Sequence, residues 1–141
     1  MIALLTISFT DDLEDIMSHA SVRYIVDDVD AAVAFYGEHL AFDVARRPGP
    51  GFAILTLGAL RLLLSEPRGP GGAAQAIDGR SPEPGGWNRV QLEVDDLPAR
   101  VEALRRAGVR FRGDNVHGRG GEQILLEDPS GNPNELLHPA G

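Results

Sequence analysis

The feature that most restricts the fold is a long internal duplication. Aligned with itself at an offset of 68 residues, the chain brings Val22, Val26, Asp27, Asp28 and Val33 of VRYIVDDVDAAV over Val90, Val94, Asp95, Asp96 and Val101 of VQLEVDDLPARV. Further on, LLSEP (63–67) falls over ELLHP (135–139) at an offset of 72. A period this long is outside the range of small solenoid repeats and reads as two copies of one supersecondary unit. Each copy opens with a period-two run. Val22, Tyr24 and Val26, or Val90, Leu92 and Val94, share one face and predict a strand. The Asp-Asp pair can then cap a helix, whose apolar positions recur as Val29, Ala32, Val33, Tyr36 and Leu40, or as Leu97, Val101 and Leu104. Pro98 is compatible with a first turn, and Gly108 suits the left-handed residue that stops a helix. Short strands follow over residues 43–47, 52–57 and 60–65, then over 110–113, 123–127 and 135–138. The expected class is α+β, with the unit β-α-β-β-β present twice.

This duplication sets the expected boundaries. Residues 17–66 form a first module and residues 87–141 a second. Between them, PRGPGGAAQAIDGRSPEPGG (67–86) is half Gly and Pro and reads as a linker, with the alternative that it folds over a pocket. Residues 1–16 are an N-terminal extension, since Met17 is a plausible alternative start and the duplication is complete without them. The run MIALLTISF within it is too short to span a bilayer and lacks the flanks of a signal peptide, so a cytoplasmic location is the default expectation, with no membrane partner.

Composition removes several chemistries. The balance of 13 basic and 21 acidic residues argues against nucleic acid as a partner, because phosphate contacts need clustered cations. Half of the net charge of −8 is local, carried by Asp11, Asp12, Glu14 and Asp15. There is no cysteine and no lysine: every basic residue is arginine, which excludes thiolate and Schiff-base chemistry. No serine stands beside a histidine in a hydrolase arrangement, and HGRGGEQ (117–123) lacks the ending of a phosphate loop. One residue stands out against this background. Glu135 abuts Leu136 and Leu137 where a strand should enter a core, and a carboxylate there needs solvent, a pocket, a cation or a metal.

The pattern of strand, VDDVDAAVAFYGEHLAF, turn-rich middle and EDPSGNPNELL resembles the vicinal oxygen chelate superfamily, the glyoxalase, bleomycin-resistance and extradiol dioxygenase fold, over residues 19–139. The resemblance implies two β-α-β-β-β modules curled into a cupped mixed sheet, helices outside and ligand within. It also implies a homodimer. Metal-using members place one ligand on the first and last strand of each module, positions that are here Ser21, Leu63, Arg89 and Glu135. Only Glu135 is a usual ligand, and a divalent ion needs three or four donors, so neither a metal nor another cofactor is expected. His19, two residues before Ser21, is the alternative donor. His39, His117 and His138 are expected at the surface or facing away. Ala41 replaces a common Gly after the first helix, and Asn134 a commonly aliphatic residue.

Counting by twos from the implied positions, the ligand-binding candidates are Ser21, Arg23, Arg61, Leu63, Arg89, Gln91, Glu93, Glu135 and Leu137, with Trp87 at the rim. Such a mixture suits a polar organic small molecule held by a few oriented contacts. The alternative is a solvated face with exposed ion pairs. Two functions stay open: a non-catalytic binding protein, or a metal-free isomerase or lyase acting on a small carbonyl compound, with Glu135, Arg89 and Glu93 as catalytic candidates. Metal-dependent glyoxalase or dioxygenase chemistry would need another ligand set. In either case Arg89 is expected to pair with Glu135 and supply the positive charge of the missing ion.

Overall fold

The computed structural model of the chain describes residues 20–68 and 78–141. The N-terminal extension, His19 and residues 69–77 of the linker lie outside them. The first unit contains β1 (Ala20–Ile25), α1 (Val29–Leu40), β2 (Asp43–Gly49), β3 (Phe52–Leu57) and β4 (Leu60–Ser65). Its sheet runs β1-β4-β3-β2, with β1 parallel to β4 and the remaining pairs antiparallel. The second unit contains β5 (Val90–Glu93), α2 (Leu97–Arg106), β6 (Arg110–Phe111), β7 (Val116–Gly118), β8 (Gly121–Glu127) and β9 (Pro133–Pro139). Its sheet runs β5-β9-β8-β6, with β7 also on β8 and β5 parallel to β9. The mixed α+β architecture thus takes the form of two sheets that repeat one connectivity.

Strand β7 is the element the periodicity did not reveal. Three exposed residues, Val-His-Gly, carry no apolar alternation, and the glycines after them read as loop. They instead close a tight hairpin in which Gly118 pairs with Gly121. Gly121 has φ 130°, and a Cβ there would lie 2.1 Å from the His138 carbonyl oxygen, so only glycine fits.

The second aspartate of each Asp-Asp pair is the helix cap. Asp28 accepts a hydrogen bond from the Ala31 amide and Asp96 one from the Ala99 amide, both at 3.1 Å. Helix α1 ends on Ala41 at φ 62°, a left-handed conformation that costs a residue with a Cβ about 1 kcal/mol. Helix α2 is followed by Gly108 at φ 83°, where no such cost arises.

Val29, Ala32, Phe35, Tyr36 and Leu40 of α1 pack on Ala53, Leu55, Leu62 and Leu64. Leu97, Val101 and Leu104 of α2 join Ile124, Leu126 and Leu136 in the same continuous core. Because strand side chains alternate, Arg61, Leu63 and Ile54 then lie on the opposite face of the first sheet. Two buried tyrosines tie the units together. The Tyr24 hydroxyl donates to the Pro133 carbonyl at 2.8 Å and accepts from the Val90 amide at 2.9 Å. The Tyr36 hydroxyl donates to Asp128 Oδ2 at 2.9 Å. Among the described residues no helix is long and apolar enough to cross a membrane.

Burial pushes the Tyr24 phenol up to about 12 and the Tyr36 phenol well above its ordinary value. Both stay protonated in the folded chain while an unfolded tyrosine ionises near about pH 10. Their contribution to stability is therefore complete below about pH 10 and is lost as pH rises towards about 12. With no lysine or cysteine in the chain, no other side chain titrates strongly in that window. Denaturant unfolding should give a level stability from about pH 8 to 10 and a decline from 10 to 12, with about half the slope in Tyr24→Phe. A profile that stays flat to pH 12 would reject the burial of these hydroxyls.

Candidate functional site

Strands β5 and β9 run parallel with Gln91 beside Glu135 and Glu93 beside Leu137, so these four residues share one sheet face. Glu135 is only 5% exposed. A carboxylate buried to that degree requires charge and hydrogen-bond compensation, and it receives both. Arg89, immediately before β5, places Nε and Nη2 each 2.9 Å from Glu135 Oε1. Gln91 Nε2 donates to Glu135 Oε2 at 2.5 Å. The expected pair is thus present in a different form from a two-oxygen fork. Both guanidinium prongs converge on one oxygen, and the amide takes the other. Arg89 also donates from Nη1 to the Trp87 carbonyl at 3.1 Å, which fixes its approach to the sheet.

The remaining candidates lie on the first sheet. Ser21 opposes Arg61, which opposes Thr56; Arg23 opposes Leu63, which opposes Ile54. Arg23 donates from Nη1 to Ser65 Oγ at 2.6 Å and sits over the Phe52 ring at 5.8 Å. The structure therefore brings the predicted residues together as two groups, one on each sheet. Glu93 lies at the end of β5. It is exposed and borders a cleft of about 150 Å³ whose lining includes Leu40, Leu57, Leu92 and Leu136. Trp87 is 68% exposed, with the Arg112 guanidinium 4.7 Å from its ring centre.

Arg112 was not among the sequence candidates. It donates to Glu127 Oε2 at 2.8 Å, to the Gly86 carbonyl at 2.6 Å and to the Gly131 carbonyl at 2.8 Å, joining the end of the linker to the DPSGN turn. Continuing the period of two beyond Arg110 would have found it, because the Arg112 amide extends the ladder to the Leu125 carbonyl. Phe52, Ile54 and Thr56 were also missed, since β3 carries none of the positions that the resemblance implied.

The side chains at the implied ligand positions do not fit a divalent ion. Ser21 and Leu63 lie on one sheet, Arg89 brings a permanent charge, and both oxygens of Glu135 are engaged. Among the described residues no three His, Asp or Glu side chains are grouped to hold a metal. His39 stacks edge-on with Phe35, His117 lies 3.5 Å from Glu122, and His138 Nδ1 lies 3.1 Å from the Val94 carbonyl oxygen.

Two β-α-β-β-β units, the second enlarged by the short strand β7, each have a first strand parallel to the last and a polar cluster on the face away from the helices, and together define a paired-module α+β fold. The chain belongs to the glyoxalase/bleomycin resistance protein/dioxygenase superfamily, whose model matches residues 16–136. It is similar to TnmS3, an antibiotic binding protein from Streptomyces sp. CB03234, with 25% identity, a TM-score of 0.65 and coverage of 86% of this chain and 95% of that one. A superfamily member from Sphaerobacter thermophilus is 24% identical with a TM-score of 0.67, covering 85% and 95% of the two chains. Lactoylglutathione lyase from Agrobacterium tumefaciens shares the fold at 18% identity and a TM-score of 0.64, covering 84% and 90%. No curated protein matches the sequence.

The buried carboxylate makes the pair testable by stability alone. Arg89→Ala should destabilise the protein by about 2–4 kcal/mol, because it leaves Glu135 buried with only an amide beside it. Replacing both residues by neutral partners, Arg89→Met with Glu135→Leu, should cost less than the two single changes added, by about 1 kcal/mol or more. Additive losses in denaturant unfolding would mean that the two side chains are not coupled.

Proposed function

We propose that the chain is a binding protein for a small polar organic molecule and works without a catalytic metal ion. The observation that carries this reading is the engagement of Glu135. Its two oxygens, at the position where metal-using relatives place a ligand, accept from Arg89 and Gln91. Arg89 supplies the charge an ion would supply, and with Gln91 it places three donors on the Glu135 carboxylate. Those donors stabilise the ionised form and make it a weaker proton acceptor, which disfavours the acid–base alternative and leaves the binding reading untouched. The similarity to an antibiotic binding protein supports the same direction. Ligand would be held between the polar faces of the two kinds of sheet, brought together in a homodimer, which also covers open sheet edges.

Elemental analysis of protein purified without chelator should find metal far below one equivalent, with no change in melting temperature on chelation. Thermal-shift screening of small organic molecules should find ligands whose effect is lost in Arg89→Ala, and light scattering should report twice the mass of one chain. One equivalent of tightly held metal, with stability lost on chelation, would overturn the reading.

A further inference from the structure

The charge of the ligand follows from the open face of the first sheet, given the binding reading above. That face presents Ser21, Arg23, Ile54, Thr56, Arg61, Leu63 and Ser65 across β1, β4 and β3. On these three strands it carries two guanidiniums and, among the described residues, no carboxylate, in a chain with 21 acidic residues against 13 basic ones. Arg61 and Arg23 are diagonal neighbours on adjacent strands. Arg23 is already positioned by Ser65 and the Phe52 ring. Arg61 is half-buried, flanked in register by the residues Ser21 and Thr56, and makes no ion pair or side-chain hydrogen bond among the described residues. The carboxylate nearest along its row is Asp43, which opposes Thr56 from β2. Its backbone is two strands away, roughly 9–10 Å, and its side chain forms no ion pair with Arg61. The second sheet differs, because its Arg89 is matched with Glu135 and its Arg112 with Glu127.

We infer that this face receives an organic anion, a carboxylate or a phosphorylated group on an apolar body, with Arg61 as the main contact to the anionic oxygens. Arg61 can offer a planar pair of N–H donors, and hydroxyls at Ser21 and Thr56 are the neighbours suited to a remaining oxygen. Leu63 and Ile54, between the arginines and the sheet edge, supply an apolar floor.

The test is calorimetric titration with a matched set of probes: naphthoate, naphthyl phosphate, naphthamide, naphthylmethylammonium and inorganic phosphate, each followed by amide resonances of β1 and β4. One of the two organic anions should bind at least about tenfold tighter than naphthamide and than inorganic phosphate, and which of them does so separates a carboxylate from a phosphorylated ligand. Arg61→Gln should abolish that preference, Arg61→Lys should keep part of it, and Arg119→Gln, in an exposed turn, should leave it intact. Equal or tighter binding of the amide or the ammonium would overturn the anion assignment and leave the binding reading standing. If no anion binds and Arg61→Gln instead weakens self-association, acidic residues of a second copy occupy the face, and the inference fails. If no probe of any charge binds and self-association is unchanged, the inference and the binding reading fail together.

Discussion

The buried carboxylate of Asp128 organises the junction on which both sheets depend. It is 1% exposed and accepts from the Tyr36 hydroxyl, the Asn132 side chain and the backbone amides of Ser130 and Asn132. Asn132 in turn donates to the Ile25 carbonyl and accepts from the Gly85 amide, and Ser130 Oγ accepts from the Asp27 amide. One turn therefore satisfies the end of β1, the end of the linker and a helix side chain at once. A charge so enclosed is tolerable only because each lone pair has a donor. The same turn delivers the chain into β9, so the position of Glu135 is set by the geometry at Asp128, seven residues earlier in the sequence.

The two sheets apply one backbone plan to different electrostatic ends. Ser21 and Leu63 in the first unit occupy the positions that Arg89 and Glu135 occupy in the second. The second sheet closes its charges on itself through Arg89–Glu135 and Arg112–Glu127, a self-compensated surface. The first leaves Arg61, beside Leu63, without an ion pair among the described residues. Duplication with divergence of the outward positions thus separates a half whose outward arginines are matched with carboxylates from a half in which Arg61 is not.

Most of the architecture was legible because it rests on local signals. The Asp-Asp caps and the period-two runs follow from short-range sterics and hydrogen bonding. The turn at Ala41 and the pairing of Arg89 with Glu135 were legible only through the family resemblance, since no local signal marks an alanine as left-handed or places residue 89 beside residue 135. What was not legible depends on contacts distant in sequence. Nothing near Tyr24 announces that its hydroxyl will bridge Val90 and Pro133, and nothing near Arg112 announces Gly86 and Gly131. Asn134 is the clearest example. Its Nδ2 donates to the Tyr36 hydroxyl, while Oδ1 is the buried side-chain acceptor left without a partner among the described residues. A polar residue at an inward strand position is intelligible only once the hydroxyl opposite it is known.

The placement of Trp87 has a spectroscopic consequence. It is the only tryptophan in the chain, it is largely solvent-exposed in the folded state, and one face is covered by the Arg112 guanidinium. Its carbonyl is also the anchor for Arg89. Native emission should therefore resemble that of a hydrated indole, so unfolding moves the spectrum little. Rearrangement of the arginines beside the ring, in contrast, alters its immediate field and quenching. The intrinsic fluorescence of this protein should therefore respond to the Arg112 contact on the ring more than to whether the chain is folded.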